Sequence, residues 1–134
     1  HLYCIRHKIE LTCVIDGKQL EDMREIDICT IFGNALSNAV ECEETISDPK
    51  KRLIHVCVFE KQGFLNIHFD NIIEETLQFE EGFPITTKGS KEIHGYGLKS
   101  IQYTVEKYHG NMKIQTNGEW FKLRILIPLP LRHD

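Results

Sequence analysis

The sequence predicts an α/β two-layer sandwich, a mixed β-sheet with helices on one face. Three observations predict it. Apolar residues recur at helical spacing from Asp27 to Val40. Short alternating or apolar runs read as strands before and after that helix. Strands and helices then follow the order β-α-β-β, a long loop, α-β-β, which suits a two-layer α/β domain. A chain of 134 residues leaves room for one such domain and little else.

The first strand is predicted over Lys8 to Ile15. There Ile9, Leu11 and Cys13 alternate with Lys8, Glu10 and Thr12, the mark of a half-buried strand, and Asp16-Gly17 makes a turn. The helix follows. Ile28, Ile31, Phe32, Ala35, Leu36, Ala39 and Val40 form one apolar stripe, with Asp27 as its expected N-cap and Asp48-Pro49 beyond its end. Two strands come next, Leu53 to Glu60 and Phe64 to Phe69, joined at Lys61-Gln62-Gly63. The first is apolar on both faces apart from His55, as an interior strand would be. Residues Asn71 to Glu92 have no clean period and read as a long polar loop, a lid. A second helix is predicted from Gly95–Gly97 to about His109, with Leu98, Ile101, Val105 and Tyr108 inward and Gly110-Asn111 as its stop. Met112 to Thr116 and Trp120 to Ile127 form the last hairpin around Asn117-Gly118.

Composition excludes several functions. With 41% hydrophobic and 27% charged residues the chain is globular rather than disordered, and no apolar run is long enough to span a bilayer. A formal charge of −4 argues against a general nucleic-acid binder. The five cysteines, Cys4, Cys13, Cys29, Cys42 and Cys57, form no CxxC pair and read as reduced thiols, most of them small core residues. The seven histidines and five cysteines show no zinc spacing. No GxSxG elbow occurs. The chain begins at His1, so it is expected to be a piece of a longer protein.

Three groups of polar residues carry candidate chemistry. Asn34 and Asn38 are four apart on the stronger helix, stacked on one face at the flank of the apolar stripe. Each costs helix propensity, about 1 kcal/mol for the pair. Amide oxygens at that spacing suit a hard cation such as Mg²⁺, although two solvated amides would look the same. His94-Gly95-Tyr96-Gly97-Leu98-Lys99-Ser100 is a glycine-spaced opening to a helix. Backbone N–H groups can approach a phosphate there, with Thr86, Thr87 and Lys88 just upstream. Neither a GxxxxGK[ST] loop nor a GxGxxG fingerprint is present, and the lysines fit a solvated surface equally well. Asp70-Asn71 ends a strand. If Leu65, Ile67 and Phe69 face the helices, so does Asn71, and its amide matches a purine edge; a turn residue is the plainer reading.

In their order these blocks resemble a known family. Phe32-Gly33-Asn34-Ala35-Leu36-Ser37-Asn38-Ala39-Val40-Glu41 resembles the N-box of the GHKL, or Bergerat-fold, ATP-binding domains. Within that family it is most similar to sensor histidine kinases of the quorum-sensing and citrate-sensing type. His94 to Ile101 resembles the glycine box after the ATP lid, and Thr86-Thr87-Lys88 the lid's threonine-lysine element. The likeness covers nearly the whole chain, residues 1–134 being read as one ATP-binding catalytic domain.

The resemblance implies Mg-ATP as ligand and cofactor, with Asn38 on the metal and Asn34 lining the same pocket. It places Thr87, Lys88, His94, Gly95, Tyr96, Gly97 and Leu98 around the phosphates. Asn71 falls where most of these kinases carry the aspartate of a DxGxG box that binds the adenine amino group. Ile72 and Ile73 replace the glycines of that box, and Asp70 is the reserve candidate. Relatives that hydrolyse ATP, or phosphorylate serine, use a glutamate as general base four residues before the metal asparagine. Asn34 stands there and cannot take a proton at neutral pH. Transfer to a histidine on separate dimerisation helices is therefore expected, in a two-component system with a cognate response regulator. None of the seven histidines lies in an H-box, so no catalytic residue is assigned within this chain. A cytoplasmic domain of a membrane-anchored, homodimeric sensor is implied. The alternatives are a degenerate docking module and a serine kinase or ATPase of the same fold.

Overall fold

The computed structural model describes residues 2–74, 77–85 and 91–130; for residues 2, 85 and 91–95 the backbone alone is described. A short helix α1 (Leu2–Arg6) leads into β1 (Glu10–Ile15). Helix α2 (Glu25–Glu44) precedes the hairpin β2 (Leu53–Lys61) and β3 (Phe64–Ile72). A ribbon of β4 (Gln78–Glu80) and β5 (Phe83–Ile85) is followed by α3 (Lys91–Lys107) and the hairpin β6 (Asn111–Asn117) and β7 (Trp120–Pro128). The main sheet has the order β1-β2-β3-β7-β6. Strands β1 and β2 run parallel and every other pair is antiparallel, so the sheet is mixed as expected.

Alternation decides the buried face. Ile54, Val56 and Val58 of β2, Leu65, Ile67 and Phe69 of β3, and Phe121, Leu123, Ile125 and Ile127 of β7 point the same way and are buried. Cross-strand register stacks them in rows such as Val56–Phe69–Leu123. Helix α2 covers β2 and β3, while α3 packs on α2 and β6. The helices contribute Ile31, Ala35 and Ala39 from α2 and Leu98, Ile101 and Val105 from α3.

Several boundaries depart from the sequence reading. Helix α2 starts at Glu25, so Asp27 lies in its first turn instead of capping it; Arg24 is at the cap and offers no side-chain bond. Strand β1 is an edge strand with Cys13, Val14 and Ile15 exposed, because the helices lie over the middle of the sheet. The cysteines follow suit: Cys4 is buried, Cys42 and Cys57 are half-buried, and Cys13 and Cys29 are exposed. The expected loop from Asn71 contains the β4–β5 ribbon, turned at Glu81 and Gly82 with φ of 53° and 84°, and its strands are too short for a period to register. Helix α3 begins at Lys91, four residues before Gly95. Glycine weakens a helix by about 1 kcal/mol without forbidding it, so the two glycines run inside the first turns. At the other end His109, not Gly110, takes the left-handed conformation, with φ of 61°.

No helix among the described residues is long and apolar enough to cross a membrane.

Candidate functional site

Helix α2 carries a row at intervals of four residues that explains much of the site. Asp27, Ile31, Ala35, Ala39 and Glu43 are all buried. The middle of the row is apolar and belongs to the core. Each acidic end needs a partner, since an unpaired buried charge is strongly disfavoured.

Asp27 finds its partners at the end of α3. Lys107 Nζ donates to Oδ1 at 2.7 Å, and the Tyr108 hydroxyl donates to Oδ2 at 2.5 Å. The same hydroxyl accepts the Arg24 N–H at 3.0 Å, which serves one of the orphan donors of the α2 N-terminus. Lys107 first, then Tyr108, hold the Asp27 carboxyl below the usual carboxylate range.

Glu43 finds its partners on the sheet. Its Oε1 accepts the Leu53 N–H at 2.8 Å and its Oε2 accepts Asn71 Nδ2 at 3.2 Å. Burial outweighs these bonds and pushes the carboxyl up to about 7. Sequence reasoning missed Glu43. The available signal was its place in the four-residue row, where an acidic residue follows Ala35 and Ala39.

Between those ends stand the predicted asparagines, both half-buried. Asn34 Nδ2 donates to the Thr30 carbonyl oxygen at 2.8 Å, which orients the amide with Oδ1 toward α3. That oxygen lies 3.4 Å from where a Cβ on Gly97 would stand. The two sequence blocks are thus brought together: Asn34 of α2 touches α3 at Gly97. Asn38 follows one turn later on the same helix.

Asn71 lies on the helix-covered face as the alternation predicted, 2% exposed. Asp70 points to the opposite face, where Arg124 binds its carboxylate through two nitrogens. The two neighbours are therefore not interchangeable, and Asp70 is away from the asparagines of α2.

The glycine block is placed differently from expectation. Gly95 and Gly97 fall at the fifth and seventh positions of α3, so their N–H groups belong to the intrahelical ladder. Within α3 the N–H groups without intrahelical partners are those of residues 91–93, and His94 is the first residue whose N–H joins the ladder. Tyr96 is exposed, while the Leu98 side chain is in the core at 2% exposure and can meet a ligand through its backbone only. Thr86, Thr87 and Lys88 lie outside the described residues.

Two open cavities flank the helices. One of about 330 Å³ lies by Met23, Tyr108 and Pro128. The other, about 520 Å³, is lined by Arg24, Thr30, Tyr96, Lys99 and Ser100. Neither takes in Asn34, Asn38 or Asn71.

Residues 23–128 match the family model described as GHKL domain. No curated protein sequence matches the chain. Among solved structures, the nucleotide-free catalytic domain of histidine kinase ThkA is similar. One form aligns with a TM-score of 0.69 at 15% identity over 95% of this chain and 84% of that one. A second form gives 0.70 at 16% identity over 95% and 83%. Histidine kinase AdeS of Acinetobacter baumannii aligns with a TM-score of 0.58 at 9% identity, over 94% of this chain and 57% of that one. At these identities the likeness is one of fold.

Proposed function

The chain belongs to the GHKL domain family, and from that premise we propose that it binds Mg-ATP and presents the γ-phosphate to a histidine on a separate dimerisation domain. The observation that carries this reading is the meeting of Asn34 with Gly97, which joins the asparagine helix to the glycine block. Asn38 would hold Mg²⁺, with Asn34 beside it. Their fit to a hard cation rests on amide oxygen: the bond to Thr30 orients the Asn34 amide with Oδ1 toward α3. Among the described residues no three His, Cys, Asp or Glu side chains converge as a metal site. A cation here would therefore take most of its ligands from phosphate and water. The phosphates would meet the first turn of α3 around His94, whose N–H groups and dipole favour an anion. Gly95 and Gly97 lack side chains and let the phosphates approach, beside Tyr96 and the Leu98 backbone. By the family resemblance, Thr87 would add a hydroxyl and Lys88 a cation to the phosphates. Asn71 would read adenine.

Asn34 supports transfer over hydrolysis, because an amide cannot act as the general base on water. Catalysis by this domain is then positioning and charge neutralisation. The phosphoacceptor helices, a response regulator and a membrane anchor would belong to the parent protein, a homodimeric sensor with this domain in the cytoplasm. The quorum-sensing and citrate-sensing branch is supported by the block from Gly33 to Glu41. A second reading, a nucleotide-free docking module, is favoured by Ile72 and Ile73 where DxGxG has glycines.

Calorimetric titration with ADP and a non-hydrolysable ATP analogue, with and without Mg²⁺, tests the proposal. Magnesium-dependent binding in the micromolar to millimolar range, lost in Asn38→Ala, is expected. Absence of binding under every condition would leave the docking module as the better account.

A further inference from the structure

Glu43 and Asn71 carry an inference that rests on the nucleotide reading and specifies it further. Asn71 interrupts an apolar row of the sheet, paired with Ile54 on one side and Phe121 on the other. A buried amide in that row must place two N–H donors and one carbonyl oxygen. Nδ2 donates to Glu43 Oε2 at 3.2 Å and to the Ile72 carbonyl oxygen at 3.2 Å. Both protons are thereby used inside the protein. Oδ1 takes no protein donor among the described residues.

Glu43 cannot relax this arrangement. Its other oxygen is bound to the Leu53 N–H, and the side chain is fully buried. With Glu43 ionised, a flipped Asn71 amide would set its carbonyl oxygen against Glu43 Oε2, acceptor against acceptor, and the Ile72 carbonyl oxygen would lose its donor. The carboxylate therefore dictates which atom of Asn71 remains for a ligand.

We propose that Glu43 is a positioning residue for base recognition: it fixes the Asn71 amide so that only a carbonyl oxygen faces the base, which selects a purine with an amino group at position 6 and rejects a 6-oxo purine. A side chain that could donate to Asn71 would reverse the choice. In Glu43→Gln the new amide would give its carbonyl to the Leu53 N–H and its protons to Asn71, turning the Asn71 nitrogen outward.

Calorimetric titration with ADP and IDP, at pH 8 with Mg²⁺, tests this. The two ligands share phosphates and ribose and differ only at the reading edge of the base. The wild-type protein is expected to favour ADP by about tenfold or more, the worth of one buried hydrogen bond with its mismatch. In Glu43→Gln that ratio is expected to fall to parity or reverse. In the double variant Glu43→Gln/Asn71→Asp it is expected to return, since a carboxylate in place of the Asn71 amide accepts whichever way it is turned. A loss of general stability would weaken both ligands together and leave the ratio unchanged. An unchanged ratio in folded Glu43→Gln overturns the inference while leaving nucleotide binding intact. A wild-type protein that binds neither ligand overturns the nucleotide reading and the inference with it. The wild-type protein also provides a measurement independent of any variant's folding. In ¹H–¹⁵N spectra both Asn71 side-chain amide protons are expected to stay protected from exchange in the free and the ADP-bound protein; a coupling across a hydrogen bond from either proton to a ring nitrogen of the base overturns the proposal.

Discussion

Asp27 in the first turn of α2 accepts the hydroxyl proton of Tyr108, just past the end of α3, at 2.5 Å, and that hydroxyl in turn accepts the Arg24 N–H. One aromatic side chain thus ties the start of one helix to the end of the other across 81 residues of sequence. Lys107 completes the clasp.

Tyr108→Phe keeps the ring and removes the hydroxyl, leaving Arg24 N–H without its acceptor. The expected cost is about 1–2 kcal/mol in urea unfolding, as for a hydrogen bond to a charged group. The depressed Asp27 carboxyl contributes stability that is present above the usual carboxylate range and is lost as pH falls through its folded value. Unfolding midpoints of Asp27→Asn measured from pH 6 to pH 3 should therefore fall less steeply than those of the wild-type chain.

Glu43 acts with the opposite sign. Burial raises its carboxyl from 4.5 to about 7, so the folded chain holds a proton that the unfolded chain has released. Its contribution is full below pH 4.5 and is lost as pH rises through 7, after which it levels off. The span is on the order of 3 kcal/mol. Glu43→Gln should flatten the stability profile between pH 5 and 8; a profile as steep as the wild-type one would show that another group titrates there.

The end of α3 separates conformational from steric demands. His109 has φ of 61°, a region that favours glycine, and His109→Gly should stabilise the fold by about 1 kcal/mol. Gly110 has an ordinary φ but no room. A Cβ there would stand 2.7 Å from the Leu126 carbonyl oxygen, 2.8 Å from Val105 Cγ1 and 2.9 Å from Ile127 Cγ1. Gly110→Ala should cost about 1–3 kcal/mol. Thermal unfolding of the two variants reads the contrast directly.

Local pattern was enough for much of this protein. The stripe of α2, the half-buried flank where Asn34 and Asn38 stand, the two hairpins, the inward face of β3 and the placement of Asn71 toward the helix layer all follow from periods of 3.6 and 2, which depend on neighbours in sequence. The likeness of the asparagine and glycine blocks to the GHKL family was also visible there, and the family match agrees with it. The tertiary structure decided the rest. Cys13 alternates like a core residue, yet β1 lies at the sheet edge beyond the cover of the helices. Asp27 and Glu43 look like the polar ends of a helix, yet both are buried because α3 and the sheet close over them. Asn71 could be placed on its face by alternation, but not given a polarity. That came from a carboxylate 28 residues away, because an amide's orientation is set by the groups it meets and not by the strand that carries it.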